Sequence, residues 1–269
     1  MIEIVGVVLA GYVALCVLVF AAQRSLVFPA PKIGRMPRAP LDVVWVSPET
    51  PMIFRPARAG APVVVHFHGN GEQIADATWL ADLVEAPGAG FAAIEYPGYG
   101  LAAASGEPSE EALLDAAERG LSHLVDELGV ARERLVLSGH SLGTGIAVEM
   151  ARRGWGARVL LLSPYTSLPD VGARVFPFLP VRLLMRDRFD SAARAPEVRA
   201  PVLIVHGAHD ELIPASLGRA LSTRFPQARF VEIAEAHHND LPSFVEVRDE
   251  VRRFLAEDGA ARSTPPARP

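Results

Sequence analysis

Six short apolar runs, separated by stretches with helical periodicity, restrict what this chain can fold into more than any other feature. The runs lie at 63–67, 91–95, 135–138, 159–162, 202–206 and 229–233 and are rich in Val, Leu and Ile. Runs of this length without polar alternation read as strands buried on both faces, as in parallel sheets. Segments 73–84, 109–127, 143–153, 214–224 and 241–256 place apolar residues at helical spacing. Ser109 precedes Glu110 and Glu111, a helix N-cap followed by acids in the first turn. Strand alternating with helix predicts an α/β fold, a mostly parallel sheet with helices on both faces. Segment 23–62 is irregular and proline-rich, with short edge strands expected near 43–46 and 52–55. Segment 257–269 carries Pro265 and Pro266, lacks apolar periodicity and is expected to be disordered. No internal repeat is present.

From Ile4 to Ala22 no residue is charged. As a helix this run spans roughly 28 Å, close to the hydrocarbon thickness of a bilayer. A secretory signal has a basic leading segment and a shorter apolar stretch. Met1-Ile2-Glu3 has no basic side chain, so residues 1–22 read as an uncleaved transmembrane anchor. A signal peptide cut near Ala21-Ala22 and a helix buried in a soluble protein are the alternatives. Arg24, Lys32, Arg35 and Arg38 all follow the run. The excess of positive charge on the cytoplasmic side of membrane proteins then favours a single-pass protein of a bacterial inner membrane, its domain in the cytoplasm. Secretion or a periplasmic location is the alternative. Residues 23–256 have the length of one α/β domain.

The chain has 26 basic and 31 acidic residues, a formal net charge of −5. Without a Lys/Arg block it does not read as a nucleic-acid binder. Lys32 is the only lysine, a bias that suits a GC-rich bacterial source. The single cysteine, Cys16, lies inside the apolar run. Disulfides, a cysteine zinc site and a cysteine nucleophile are thereby excluded from the globular part. Leu15 stands where a lipid-attachment cysteine needs a small residue.

The run at 135–138 leads into Gly139-His140-Ser141-Leu142-Gly143 and then a helical segment. A nucleophile on a tight strand-to-helix turn presents its hydroxyl above the sheet edge, and the glycines permit the turn. A serine hydroxyl needs a base, and the base needs an orienting acid. With the acid after the serine and the histidine last, Asp210 at the end of the strand 202–206 is the candidate acid. His237 and His238, after the last strand, compete for the role of base. Parallel strands share their C-terminal ends, so these loops meet at one sheet edge. A tetrahedral intermediate needs backbone N–H donors. The candidates are Leu142, directly after Ser141, and Asn70 in the loop His68-Gly69-Asn70-Gly71, with Gly71 as second choice. His68 is expected to prop that loop.

These blocks together resemble the α/β-hydrolase superfamily, and more narrowly its membrane-anchored serine hydrolases, which include eukaryotic protein depalmitoylases and many bacterial proteins. Further matching segments are Gln23-Arg24-Ser25-Leu26-Val27-Phe28-Pro29, Tyr96-Pro97-Gly98-Tyr99-Gly100, Gly106-Glu107-Pro108-Ser109-Glu110, Ser163-Pro164-Tyr165-Thr166-Ser167, His206-Gly207-Ala208-His209-Asp210 and His238-Asn239-Asp240. The resemblance implies an α/β-hydrolase fold. It also implies ester or thioester hydrolysis without a metal or organic cofactor, and it selects His238, directly before Asn-Asp, as the base. His237 replaces a usual glycine. Leu101-Ala102-Ala103-Ala104 replaces a more polar stretch, a difference expected at the pocket rim.

The insert, about 163–200, contains Phe176, Phe178, Leu184 and Met185. It reads either as a helix packed on the core or as a cap whose apolar residues bind a small-molecule or lipid-like acyl substrate. Three rival functions remain open from the residues. A peptidase or other acyl transfer fits the same fold. A metallohydrolase could draw on His66, His68, His206, His209, Asp210, His237, His238 and Asp240. The last is a catalytically silent anchored interaction protein.

Overall fold

In the computed structural model, which describes residues 1–85 and 88–257, the apolar runs become strands of one eight-stranded sheet. They are β1 (Asp42–Ser47), β2 (Thr50–Arg55), β3 (Val63–Phe67), β4 (Gly90–Ile94), β5 (Leu135–His140), β6 (Arg158–Leu162), β7 (Val202–Gly207) and β8 (Ala228–Ile233), in the order β1-β2-β4-β3-β5-β6-β7-β8. β2 is antiparallel to β1 and β4, and every pairing from β4 to β8 is parallel. The helices are α1 (Ile2–Val27), α2 (Thr78–Glu85), α3 (Glu110–Asp126), α4 (Leu142–Arg152), α5 (Leu168–Val175), α6 (Val181–Leu184), α7 (Ser191–Arg194), α8 (Ala215–Ser222) and α9 (Val245–Ala256).

Alternating side chains of the strands feed two apolar layers, as the pleat requires. Val63, Val65 and Phe67 join Leu113 of α3, Ile146 of α4 and Leu217 of α8. Val64 joins Leu80 of α2 and Val251 of α9 on the other face. Both faces are covered, which is why the strands read as continuous apolar runs.

Ser109 caps α3, its hydroxyl accepting the Ala112 N–H at 3.2 Å. The helix expected at 241–256 starts at Val245 instead. Leu241–Ser243 forms a separate 3-10 turn containing Pro242, and extended Phe244 interrupts the two. α1 runs past Ala22 to Val27 and stops just before Phe28-Pro29, where the proline ring disfavours a helical conformation of the residue ahead of it. Glu3–Val27 is long and apolar enough to cross a membrane, and its most apolar window, of mean hydropathy 2.8, is not buried by the rest of the chain. The reading as a core helix of a soluble protein is thereby corrected. Apart from Glu257, the tail expected to be disordered lies outside the described residues.

The parallel register brings the C-terminal ends of the strands to one edge. Phe67 stands opposite Gly139, His140 opposite Leu162, and Gly207 opposite Ile233. The loops after β3, β5, β7 and β8 emerge there. Ser109→Ala removes the α3 cap bond and lowers unfolding stability by about 1 kcal/mol, measured by urea denaturation of the detergent-solubilised protein.

Candidate active site

Ser141 joins β5 to α4 with φ 49° and ψ −116°, a conformation that residues with side chains rarely adopt. Its N–H donates to the Leu162 carbonyl at 3.0 Å. Its carbonyl accepts the Thr144 N–H at 3.0 Å and the Thr144 hydroxyl at 2.6 Å. The flanking glycines are required by close packing. A Cβ on Gly143 would lie 2.0 Å from the Phe67 carbonyl oxygen, and one on Gly139 would lie 2.5 Å from the Gly143 carbonyl oxygen. The elbow can therefore sit against β3 only without side chains at those positions.

The structure brings Ser141, Asp210 and His238 together, all three buried. Ser141 Oγ lies 3.0 Å from His238 Nε2, and His238 Nδ1 lies 2.7 Å from Asp210 Oδ2. Asp210 Oδ1 accepts the N–H groups of Leu212 (3.1 Å) and Ile213 (2.7 Å). His206 Nε2 lies 3.3 Å from Oδ2 and 2.7 Å from the Ile213 carbonyl. Burial works to raise the Asp210 pKa, but these donors outweigh it and hold the carboxyl well below its ordinary range. Of the two competing histidines, His237 points away. It is exposed, with Nδ1 2.6 Å from Glu211 Oε1 and its N–H on Asp240.

Asn70 and Leu142 line the same cavity as Ser141. The Asn70 side chain donates to the Val27 carbonyl and accepts the Tyr99 hydroxyl at 2.8 Å. His68 sits below this loop, bonded to the Gly69 carbonyl (3.0 Å) and Glu95 (2.9 Å) and stacked on Tyr96. Glu72 and His140 carry no role that is readable from the sequence. Glu72 Oε2 accepts the Gly69 N–H (2.7 Å), and Oε1 lies 3.0 Å from His140 Nδ1. One carboxylate thus ties the Asn70 loop to the residue before Ser141. His140 Nε2 lies 3.3 Å from the His238 carbonyl, with the two rings 5.3 Å apart. Burial opposes charge on both Glu72 and His140, yet their mutual attraction prevails: Glu72 is lowered and His140 is raised. A carboxylate three residues beyond Gly69 and a histidine inside the elbow were the available signals. No spacing rule connects them.

The cavity, about 240 Å³, is walled by the insert and by α1. Phe176, Leu184 and Met185 line it as expected. Phe178 does not; it is 62% exposed and meets Phe176 edge-on. The insert meets both readings: Phe189, Ala195 and Val198 join the core and Leu168 and Val171 of α5 pack against it, while Phe176, Leu184 and Met185 line the cavity. The stretch at 101–104 is not at the rim either; Leu101 packs beside the α2 and α9 layer. Unforeseen walls are Tyr165, Leu212, Ile213 and one face of α1: Val19, Phe20, Gln23, Leu26 and Val27. That face follows helical spacing, i, i+1, i+4, i+7 and i+8. Asp187 fixes the insert, pairing with Arg24 of α1 (3.4 Å) and accepting the Glu110 N–H of α3 (2.8 Å).

Among the described residues no three His, Cys, Asp or Glu side chains gather in a way that could hold a metal ion. His66 instead faces Ser138, and His68 faces Glu95.

The His140 charge has a pH signature. A raised pKa contributes stability that is complete below the unfolded value of about 6.5 and is lost as pH rises through the folded value. Unfolding free energy is therefore expected to decline above that pH in the native chain. Glu72→Gln should flatten the decline, as read from urea midpoints across the range.

No protein-family model matches the chain. An uncharacterized protein of Mycobacterium tuberculosis is 31% identical over 276 residues, covering 95% of this chain and 94% of that protein. Alpha/beta hydrolase domain-containing protein 17C of Xenopus tropicalis is 36% identical over 168 residues, 61% of this chain and 51% of its own length. The match to that hydrolase relative thus spans about half its length. Among solved structures, an esterase of Pyrococcus furiosus superposes with a TM-score of 0.68 at 15% identity over 84% of this chain and 98% of its own. A monoacylglycerol lipase of Paleococcus ferrophilus superposes with a TM-score of 0.56 at 20% identity over 80% of this chain and 98% of its own. At such identities the likeness concerns the fold. Sheet order, elbow and relatives agree that the chain belongs to the α/β-hydrolase superfamily.

Proposed function

We propose that this chain is a membrane-anchored serine hydrolase that cleaves carboxylic ester or thioester bonds of lipid-like acyl substrates through an acyl-enzyme. The observation that carries the reading is the continuous contact Ser141 Oγ, His238 Nε2, His238 Nδ1, Asp210 Oδ2, at 3.0 and 2.7 Å. His238 takes the Ser141 proton as Oγ attacks the acyl carbonyl. The N–H groups of Leu142 and Asn70 stabilise the oxyanion. His238 then returns the proton to the departing oxygen or sulfur, leaving the acyl group on Ser141. Water, deprotonated by His238, attacks the acyl-enzyme; the bond to Ser141 Oγ breaks, His238 returns the proton to Oγ, and the carboxylic acid leaves. Asp210 keeps the Nδ1 proton in place and stabilises the imidazolium. No step uses a cofactor.

The apolar cavity beside Ser141 supports an acyl chain as the bound group. The same cavity supports retention of α1. Cleavage near Ala22 would remove Val19 and Phe20 from its wall and take away the ring under Arg186. We therefore assign residues 1–22 as an anchor and 23–256 as the hydrolase unit, with 163–200 as its cap. The basic residues after the anchor favour a cytoplasmic domain on a bacterial inner membrane.

Ser141→Ala should abolish labelling by a fluorophosphonate probe; persistent labelling refutes the assignment. His238→Ala should lose about as much turnover as Ser141→Ala, roughly a thousandfold or more, because the three groups act as a unit. His237→Ala should retain turnover. A panel of p-nitrophenyl esters of increasing acyl length should show rising kcat/KM up to the length the cavity holds, and a flat profile counts against an acyl pocket. Ester, thioester and amide substrates compared on the same preparation separate esterase from peptidase chemistry.

A further inference from the structure

The contacts between the insert and α1 form a depth scale. Arg24 pairs with Asp187 at 3.4 Å. Gln23 donates to the Leu184 carbonyl at 3.2 Å and accepts the Arg186 N–H at 2.8 Å. The Arg186 guanidinium lies 4.1 Å from the centre of the Phe20 ring. Nearer the N-terminus of α1, the Tyr12 hydroxyl donates to the Phe178 carbonyl at 2.9 Å. Following the insert backward from Asp187 to Phe178 therefore descends α1 from Arg24 to Tyr12, roughly 18 Å at the helical rise. The upper level is polar, with Arg24, Gln23, Arg186 and Asp187. The lower level lies beside the middle of the charge-free run from Ile4 to Ala22.

The lower part of the insert is chemically suited to hydrocarbon. Leu183 is 84% exposed, and Val175, Phe176 and Phe178 are exposed with it. Pro177 and Pro180 have no N–H to satisfy. The N–H groups of Phe176, Leu179, Val181, Leu183, Leu184 and Met185 all bond to carbonyls within the insert. A segment surrounded by acyl chains must satisfy its backbone internally in this way. Arg182, the one charged residue between positions 175 and 185, is paired with Asp170 at 3.0 Å, and its long stem allows the head to reach the polar level. An exposed apolar patch continuous with a spanning helix fits one occupant, the acyl-chain region of the bilayer.

We propose that residues 175–184 enter the hydrocarbon of the leaflet in which Tyr12–Ala22 lie, so that α1 and the insert form one membrane-embedded unit. Phe20, Val175 and Phe176 belong both to this level and to the cavity that reaches Ser141. The acyl chain of a bilayer lipid or lipidated protein then enters the cavity sideways, without crossing water. The inference rests on the reading of α1 as a retained span.

The test uses the full chain in phosphatidylcholine–phosphatidylglycerol vesicles, with Cys16→Ser and single cysteines carrying the environment-sensitive fluorophore NBD. Leu183→Cys reports on the insert, with Phe178→Cys as a second position. Val8→Cys reports on α1, and Leu128→Cys, before β5 at the far edge of the sheet, serves as the aqueous control. The expected result is a blue shift at Phe178, beside Tyr12, and loss of its emission with nitroxides placed deep in the lipid acyl chains, as at Val8, quenching at Leu183 by nitroxides placed nearer the headgroups, and neither shift nor quenching at Leu128. Quenching at Val8 but not at Leu183 or Phe178 overturns the inference and leaves the anchor standing. Absence of quenching at Val8 overturns the anchor and the inference together.

Discussion

The backbone can pass from β5 into α4 at Ser141 only because the residues two before and two after it have no side chains. Gly139 lets the start of the helix fold back over the strand, and Gly143 lets that helix lie against the end of β3. The second approach brings the Asn70 loop beside Ser141. Without it the cavity would lose the wall that Asn70 forms. The positive φ at Ser141 is held by the Leu162 carbonyl on one side and Thr144 on the other, so the strain of the turn is supported by the neighbouring strand and by the first turn of the helix.

Two carboxylates, buried Asp210 and half-buried Glu72, organise the rest by different means. Asp210 gathers two backbone N–H groups and two imidazoles, which matches the four acceptor positions of an ionised carboxylate. Such an acid stays ionised despite burial and fixes the ring it faces. Glu72 does not touch Ser141 or His238. It joins the Gly69 N–H to the His140 ring, and His140 in turn reaches the His238 carbonyl. Three loops from different strands are thereby tied at their bases, which keeps the groups above them in register.

α1 and the insert are mutually dependent. α5 has almost no buried residue of its own, and the insert is held in place by Asp187, Glu110 and Arg194 below and by α1 beside it. In turn, the last two turns of α1 pack on the insert and the cavity and, through Val27, on the core and the Asn70 loop. The helix therefore takes part in the cavity wall, and it continues beyond the charge-free run to Val27.

Much of this was legible in the residues. The apolar runs and their spacing determined the strands, the helices and the mostly parallel sheet, because burial on both faces leaves a local pattern. The elbow, and the order of Ser141, Asp210 and the 237–238 pair, were visible because the backbone demands glycine and because parallel strands end at one edge. The helix at 241–256 was placed four residues early because Pro242 begins a short turn that periodicity alone does not reveal. Which histidine reaches Ser141, the bridge from Glu72 to His140, the turning away of Phe178 and the entry of α1 into the cavity wall were decided by tertiary structure. The reason is physical: local sequence encodes burial and backbone conformation, which act within a few residues, whereas these contacts join side chains that are distant in the chain and meet only when whole elements have packed.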